Sequence, residues 1–65
     1  MAKYDNINVQ LSGEDGNAFM IIGRVRKALK SAGVDSKEIE EFSEQAMSGD
    51  YDNVLQTCMQ WVNVE

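Results

Sequence analysis

The sequence predicts an α+β fold in which a strand is followed by three helices and a short strand, in the order β-α-α-α-β. Two patterns predict this fold. Apolar and polar residues alternate over residues 5–12, as in a half-buried strand, and apolar residues recur every three or four positions over residues 18–60, as in amphipathic helices. Gly33 and Gly49 divide the helical stretch. The chain has 65 residues, so we expect residues 1–65 to form one small domain.

The predicted first strand has one apolar and one polar face, because successive side chains of a strand point to opposite sides. The apolar face carries Ile7, Val9 and Leu11, and the polar face carries Asn6, Asn8 and Gln10. Residues 12–17 then form a turn rich in Gly, Asp and Asn. Either Asp15 or Asn17 can cap the helix that follows, because its side-chain oxygen can accept a backbone N–H.

The first helix is predicted to run from residue 18 to about Ala32, where Gly33 can end it in the left-handed conformation. One apolar stripe follows the helical spacing, and further apolar residues widen it near the N-terminal half, which predicts burial on two sides. The stripe is Ala18, Ile22, Val25, Leu29 and Ala32, and the residues that widen it are Phe19, Ile21 and Ala28.

The second helix has a sequence typical of a capping box, with Asp35 at the N-cap and Glu38 three residues later. Ile39, Phe42 and Ala46 predict its buried face, with Met47 beside them, and Gly49 is expected to end it. Asp50 then caps a third helix that runs to about Gln60. The apolar stripe of that helix is Tyr51, Val54, Leu55, Cys58 and Val62.

Residues 61–65 alternate again and read either as a second strand or as an extension of the third helix. The first strand needs a partner, because a lone strand leaves a row of backbone groups unpaired. The two terminal segments can pair within one chain, or strands can pair between copies. Three intervening helices would make the intrachain pair parallel.

Composition excludes most catalytic and metal chemistry. The chain has a single cysteine, Cys58, and no histidine. It therefore cannot form an intrachain disulfide or a structural zinc site, and the thiol has no histidine to activate it. Because Cys58 lies on an apolar stripe, we predict a buried core thiol. We predict no metal, no cofactor and no enzymatic activity.

The net charge is −5, which excludes general binding to phosphate backbones. The charges are unevenly distributed: residues 35–52 carry seven acids against Lys37 alone, whereas four of the six bases lie within seven residues. Those bases are Arg24, Arg26, Lys27 and Lys30. One interpretation is two solvated helix faces that attract each other, within a chain or between copies. The other is a basic patch for a small anionic ligand.

The location and assembly of the protein follow from its apolar segments and its size. The longest apolar run, residues 18–22, is far shorter than a membrane span, and residues 1–5 do not resemble a signal peptide. We therefore expect a cytoplasmic protein that does not bind membranes. A chain this short buries a marginal core, which favours homo-oligomerisation.

Candidate binding residues lie in the turn, on the basic helix and among the aromatic residues. Glycines in the turn allow close backbone approach, and free amides at a helix start attract anions, although a tight capped turn explains the same pattern. A glycine inside a helix costs about 1 kcal/mol relative to alanine, so a neighbouring helix or ligand should compensate for Gly23. Exposed aromatic residues would mark an interface. The candidate ligand or interface residues are Gly13, Gly16, Asn17, Phe19, Gly23, Arg24, Lys27, Tyr51 and Trp61.

Two blocks of the sequence resemble a family of short uncharacterised proteins from phages and bacterial genomes. The first block is Gly16-Asn17-Ala18-Phe19, Ile22-Gly23, Val25, Ala28-Leu29 and Ala32-Gly33, and the second is Gly49-Asp50-Tyr51-Asp52, Leu55, Thr57, Met59, Trp61-Val62 and Val64-Glu65. Together they span residues 16–65. The resemblance implies a phage or prophage origin and a location in the host cytoplasm, but it supplies no mechanism.

These observations lead to the hypothesis of a non-enzymatic, phage-type binding protein that captures a host factor stoichiometrically in counter-defence. The captured factor would be a small anionic, nucleotide-like signal, held between copies of the chain by the glycine turn, Arg24, Lys27 and an aromatic residue. Otherwise it would be a host defence protein docked on the acidic face of helices two and three. The alternative is an acidic interaction module or DNA mimic that blocks a nucleic-acid-binding host enzyme.

Overall fold

The computed structural model describes residues 2–10 and 17–65. It contains the five predicted elements in the predicted order. They are strand β1 (Tyr4–Val9), helix α1 (Ala18–Ser31), helix α2 (Ser36–Ala46), helix α3 (Tyr51–Trp61) and strand β2 (Val62–Val64). The β-α-α-α-β architecture is therefore confirmed, and the segment after α3 forms a strand.

The terminal strands pair with each other in a parallel two-stranded sheet. Val9 lies opposite Val64, and Tyr4 lies opposite Val62, with an irregularity between Tyr4 and Asn8. The backbone N–H of Glu65 donates to the carbonyl of Val9 at 2.9 Å. Three helices cross between the strands, which is why the pairing is parallel.

The core lies where the three helices meet one face of this sheet. Ile7, Val9 and Val62 supply the sheet face. Alternation of buried and exposed residues confirms a half-buried strand that ends at Val9, whereas the predicted strand ran to residue 12. Leu11 lies outside the described residues. Val25, Leu29, Phe42, Ala46 and Cys58 have no exposed surface. Most of the apolar stripe of each helix therefore lies in one cluster, as the spacing predicts, whereas Ala32 and Tyr51 are exposed.

Side-chain caps fix where two of the helices begin. Asn17 Oδ1 accepts the backbone N–H of Phe19 at 2.9 Å, which settles which of the two candidates caps α1. Asp50 Oδ1 accepts the N–H of Asn53 at 3.0 Å at the start of α3. After α1, Gly33 has a φ of 86°, so it ends the helix in the left-handed conformation as predicted.

The ends of α2 differ from the prediction. Asp35 caps the helix at the N–H of Lys37, and Glu38 accepts a hydrogen bond from Lys3 Nζ at 2.6 Å instead of completing a capping box. The helix ends at Ala46 rather than at Gly49. Its last carbonyls are satisfied from the next helix, because Asn53 Nδ2 donates to Gln45 O at 2.9 Å and to Ala46 O at 3.2 Å.

Two aromatic residues predicted to face the core lie at the surface. Phe19 is 76% exposed and Tyr51 is 42% exposed. Each is in the first turn of its helix, α1 or α3, where fewer neighbouring elements can cover it. The predicted two-sided burial of the start of α1 is therefore wrong on the side of Phe19.

Candidate functional site

Two grooves flank α1, and they differ in chemistry. The first, here called the polar groove, lies between the end of β1 and α1 and has a volume of about 570 Å³. It is lined by Asn8, Val9, Gln10, Met20, Arg24, Lys27, Ala28 and Ser31. On the helix side, Met20, Arg24, Lys27 and Ser31 form one stripe, because their spacings of four, three and four residues match the helical repeat.

The lining of the polar groove favours an anion. Arg24 and Lys27 supply two positive charges, while the amides of Asn8 and Gln10 and the hydroxyl of Ser31 add neutral hydrogen-bond donors. None of the described lining residues is acidic, although the chain has eleven acids and only six bases. Val9, Met20 and Ala28 give the same groove an apolar portion.

The second groove, here called the apolar groove, lies where the start of α1 meets the turn between α2 and α3, and it has a volume of about 390 Å³. It is lined by Ala18, Phe19, Ile22, Ala46, Met47, Gly49, Asp50, Tyr51 and Val54. Three of these, Phe19, Met47 and Tyr51, are at least 42% exposed. Exposed apolar side chains grouped around a concavity are typical of interaction surfaces.

The predicted site residues divide between the two grooves. Arg24 and Lys27 line the polar groove, whereas Phe19 and Tyr51 line the apolar groove. Within one chain, the structure therefore does not place the bases and these aromatic residues around a common ligand. Met20, half exposed in the polar groove, is the large apolar side chain next to the bases.

Trp61 is a core residue rather than a surface anchor. It is 4% exposed, and its ring contacts Phe42 edge-on with ring centres 5.6 Å apart. Tyr4 lies on another side of the indole at 6.0 Å, and Lys3 Nζ lies 4.3 Å from the ring centre. The side chain therefore stabilises the junction of α2, α3 and the sheet.

The structure describes one of the three candidate glycines. Gly23 is exposed, and a β-carbon there would meet nothing within 4 Å. No helix of the same chain therefore compensates for a glycine inside α1. Gly13 and Gly16 lie outside the described residues, and Asn17 serves as the N-cap of α1.

Cys58 is fully buried in the core, which confirms the predicted core thiol. Burial raises the pKa of this thiol from 9.0 to about 11, because a thiolate is poorly solvated in an apolar environment. A thiol with a raised pKa is a poor nucleophile. Among the described residues, no group of histidine, cysteine and carboxylate side chains could hold a metal ion.

The exposed face of α2 carries carboxylates that form no ion pair with the other described residues. Glu40, Glu41 and Glu44 are exposed. Lys3 and Glu38 form the one ion pair found within residues 2–10 and 17–65. The basic residues of α1 and the acidic residues of α2 therefore do not form direct ion pairs within this part of the chain.

The sequence pattern did not single out several groove residues. Asn8 and Gln10 lie on the polar side of the first strand, but only the three-dimensional structure places them beside α1. The helical spacing from Lys27 to Ser31 was a usable signal for Ser31. Met47 was expected beside a buried face, yet it is 52% exposed and lines the apolar groove.

Comparisons with known proteins identify no relative. No family model matches the chain, and searches of curated proteins and of solved structures found no significant match. The similarity to short phage and bacterial proteins therefore stays a hypothesis. Within the described part of the chain, no helix has the length and apolar character needed to cross a membrane.

Proposed function

We propose that this protein is a non-enzymatic binding protein that captures a small anionic ligand in the polar groove. The observation that carries this proposal is the pairing of Arg24 and Lys27 with neutral donors in a groove without a described carboxylate, on a chain whose net charge is −5. On an acidic chain, a groove with two cations and no described carboxylate is a place where an anion is attracted.

The groove also restricts the kind of anion. The amide and hydroxyl groups of Asn8, Gln10 and Ser31 can donate hydrogen bonds to phosphate oxygens next to the two cations. Val9, Met20 and Ala28 offer apolar contact to a ring or chain attached to the charged group. This combination suits a nucleotide-like molecule better than an inorganic anion.

The lining residues support capture rather than turnover. Proton transfer near neutral pH calls for a carboxylate, an imidazole or a thiol within hydrogen-bond reach of the substrate. The described lining of the polar groove contains none of these, and the thiol of Cys58 is buried elsewhere. A protein that sequesters a signal needs affinity and abundance, not catalytic groups.

The similarity to phage-encoded proteins suggests a biological setting for this capture. A small protein that removes an anionic signal from the cytoplasm of a host cell would act in counter-defence by stoichiometric binding. This setting is part of the proposal, and it depends on the anion identified by experiment.

Native mass spectrometry of gently purified protein tests the proposal first. We expect masses at the 7.3 kDa chain or its multiples plus a removable ligand mass. Calorimetric titration with adenosine monophosphate then tests the class of ligand, with adenosine as the uncharged control. If the phosphate is recognised, adenosine monophosphate binds and adenosine does not.

Variants of α1 locate the site. Lys27→Ala removes a cation of the polar groove, whereas Lys30→Ala removes a cation of the same helix that does not line it. We expect Lys27→Ala to lower nucleotide affinity on the order of tenfold, the effect of losing a charge-assisted contact, and Lys30→Ala to have little effect. Equal effects of the two variants, or no bound ligand in either assay, would contradict the proposal.

The exposed acids of α2 favour a second candidate, in which the protein occupies the nucleic-acid site of a host enzyme. Glu40, Glu41 and Glu44 have no ionic partner among the described residues, so a basic surface could neutralise them. Competition between this protein and duplex DNA for a DNA-binding enzyme tests this candidate. A protein that does not displace DNA at any concentration is not a mimic.

A further inference from the structure

Helical spacing and a shared groove indicate that two exposed stripes, one along α1 and one along α2, lie on one face of the molecule. On α1, Phe19, Gly23, Arg26 and Lys30 are exposed and share one side of the helix, because their spacings are four, three and four residues. On α2, Glu40 and Glu44 are exposed and share one side by the same reasoning, and Met47, the C-cap residue that follows the helix, continues this stripe. Each stripe therefore has an apolar end and a charged end.

The two stripes lie next to each other with their apolar ends together. Phe19 and Met47 line the same groove, so the first turn of α1 lies beside the last turn of α2 and the helices are antiparallel. Arg26 is seven residues from Phe19, and Glu40 is seven residues from Met47. At about 1.5 Å per residue, both charges lie roughly 10 Å from the apolar groove.

The charges on this face have no partners within the described chain. Arg26, Lys30, Glu40 and Glu44 take part in no ion pair there, since the pair that residues 2–10 and 17–65 contain is Lys3–Glu38. The face thus presents a row of positive charge beside a row of negative charge, with an exposed phenyl ring next to a concavity at one end.

From this arrangement we propose that the face is the interface of a symmetric homodimer. A two-fold axis that lies in the face, parallel to α1 and α2 and between them, places α1 of one chain over α2 of its partner. Because the axis runs along the helices, the rotation leaves the position of each residue along the helix direction unchanged. Phe19 of each chain then enters the partner's apolar groove, and Arg26 of each chain meets Glu40 of the other chain.

This pairing is self-complementary in shape and in charge, as an isologous interface requires. Phe19 is 76% exposed, and an aromatic side chain that enters a pocket of the partner is a typical anchor of an interface. The homodimer by itself explains why acidic and basic side chains on neighbouring helices lie at the same distance from the apolar groove. The dimer therefore accounts for both stripes with one symmetry operation.

Gly23 fits the same interface. It lies between Phe19 and Arg26 on the exposed stripe of α1, and, apart from the adjoining residues of α1, no atom of residues 2–10 or 17–65 lies within 4 Å of where its β-carbon would be. The bare backbone allows the partner's α2 to approach closely. The absence of a β-carbon therefore has a use in the dimer that it lacks in the monomer.

The size of the surface is sufficient for such an interface. The chain exposes 4267 Å², and a standard interface takes about 800 Å² from each partner, which is roughly a fifth of this surface. The outer sides of α1 and α2 together with the groove at their ends can supply that area. A small chain with a marginal core also gains stability from dimerisation.

Sedimentation equilibrium across a range of concentrations tests the dimer. We expect the wild-type protein to approach twice the 7.3 kDa chain mass. Phe19→Ser should raise the dimer dissociation constant about thirtyfold, the change expected for loss of an aromatic hot spot. Met59→Ser is the matched control, because Met59 is 49% exposed and does not line the apolar groove. Circular dichroism confirms that both variants are folded.

Charge reversal tests the orientation. Arg26→Glu alone and Glu40→Arg alone should each weaken the dimer, and the chain that carries both reversals should recover it, because each new pair again has opposite charges. Gly23→Ala should weaken association while the fold is retained. A wild-type protein that is monomeric at all concentrations, equal effects of Phe19→Ser and Met59→Ser, or no recovery in the double reversal would overturn the proposed dimer.

Discussion

The indole nitrogen of Trp61 donates a hydrogen bond to Oε1 of Gln45 at 3.0 Å. The bond joins the last residue of α3 to the last turn of α2 and satisfies the polar atom of an otherwise buried aromatic side chain. Asn53 makes a second connection between these helices through the carbonyls of Gln45 and Ala46. The end of α2 is thus held by side chains of α3 rather than by a glycine.

Gln45→Ala should lower the free energy of unfolding by about 1–2 kcal/mol, because the buried indole N–H loses its partner. Urea unfolding followed by tryptophan fluorescence measures this directly, since Trp61 is the single tryptophan of the chain. Gln56→Ala is the control, because Gln56 is an exposed residue of α3. If both variants have equal stability, the hydrogen bond contributes nothing measurable.

Alanine substitution at two glycines should have opposite effects. Gly23→Ala should raise the stability of the dilute protein by about 1 kcal/mol, because alanine favours the helix and its β-carbon meets no obstacle within 4 Å. Gly49→Ala should lower it by about 1–3 kcal/mol, because its β-carbon would lie 2.9 Å from Cβ of Asn53. Thermal unfolding at low protein concentration measures both, and changes of the same sign would contradict the packing described around Asn53.

The thiol of Cys58 should make stability depend on alkaline pH. Its pKa is raised from 9.0 to about 11, so above pH 9 the unfolded chain releases this proton more readily than the folded chain. The stabilisation is complete below about pH 9 and is lost as pH rises towards about 11, by an amount on the order of 2 kcal/mol.

Denaturant unfolding of the wild type and of Cys58→Ala between neutral and alkaline pH checks this prediction. Lys3 and Tyr4 also have raised pKa values, but both residues are present in each protein, so the difference between the curves reports the thiol. A thiol reagent should modify Cys58 only after unfolding. Rapid modification of the folded protein would show that the thiol is accessible.

The ion pair of Lys3 and Glu38 should be visible in an acid titration. The hydrogen bond from Lys3 lowers the pKa of Glu38 below its ordinary value of 4.5. The contribution of Glu38 to stability is therefore present above pH 4.5 and is lost as pH falls through the lower folded value. Nuclear magnetic resonance titration of Lys3→Met should show the pKa of Glu38 moving up, with Lys37→Met as the control that leaves it unchanged.

The pattern of apolar residues was sufficient to predict most of the fold. Alternation identified β1, and helical spacing identified the buried face of α2, because both patterns follow from backbone geometry. For α3 the spacing identified Val54 and Cys58 but not the buried Thr57 and Trp61. The buried state of Cys58 follows from the same spacing. Local spacing could not predict the exposure of Phe19 and Tyr51, because exposure depends on which neighbouring elements reach the first turn of a helix.

The candidate sites were predicted only in part. Arg24 and Lys27 were recognised as a basic cluster, but their neighbours Asn8 and Gln10 come from a strand that chain folding places beside α1. The sequence also suggested that an aromatic residue joins the bases around a ligand held between copies; within one chain, Phe19 and Tyr51 lie in a different groove from the bases. Two residues that are five positions apart on one helix can face opposite grooves. Which groove each residue lines is decided by the packing of the whole chain.

The sequence by itself determined the first strand, the three helices, their order and the core thiol, because these properties depend on local spacing and on composition, but it left residues 61–65 open between a strand and a longer third helix. The tertiary structure decided that the terminal strands pair in parallel, that Trp61 is buried against Phe42, and that the polar and apolar grooves are separate. Each of these depends on contacts between residues that are far apart in the chain, and such contacts are set by how all the apolar faces pack together.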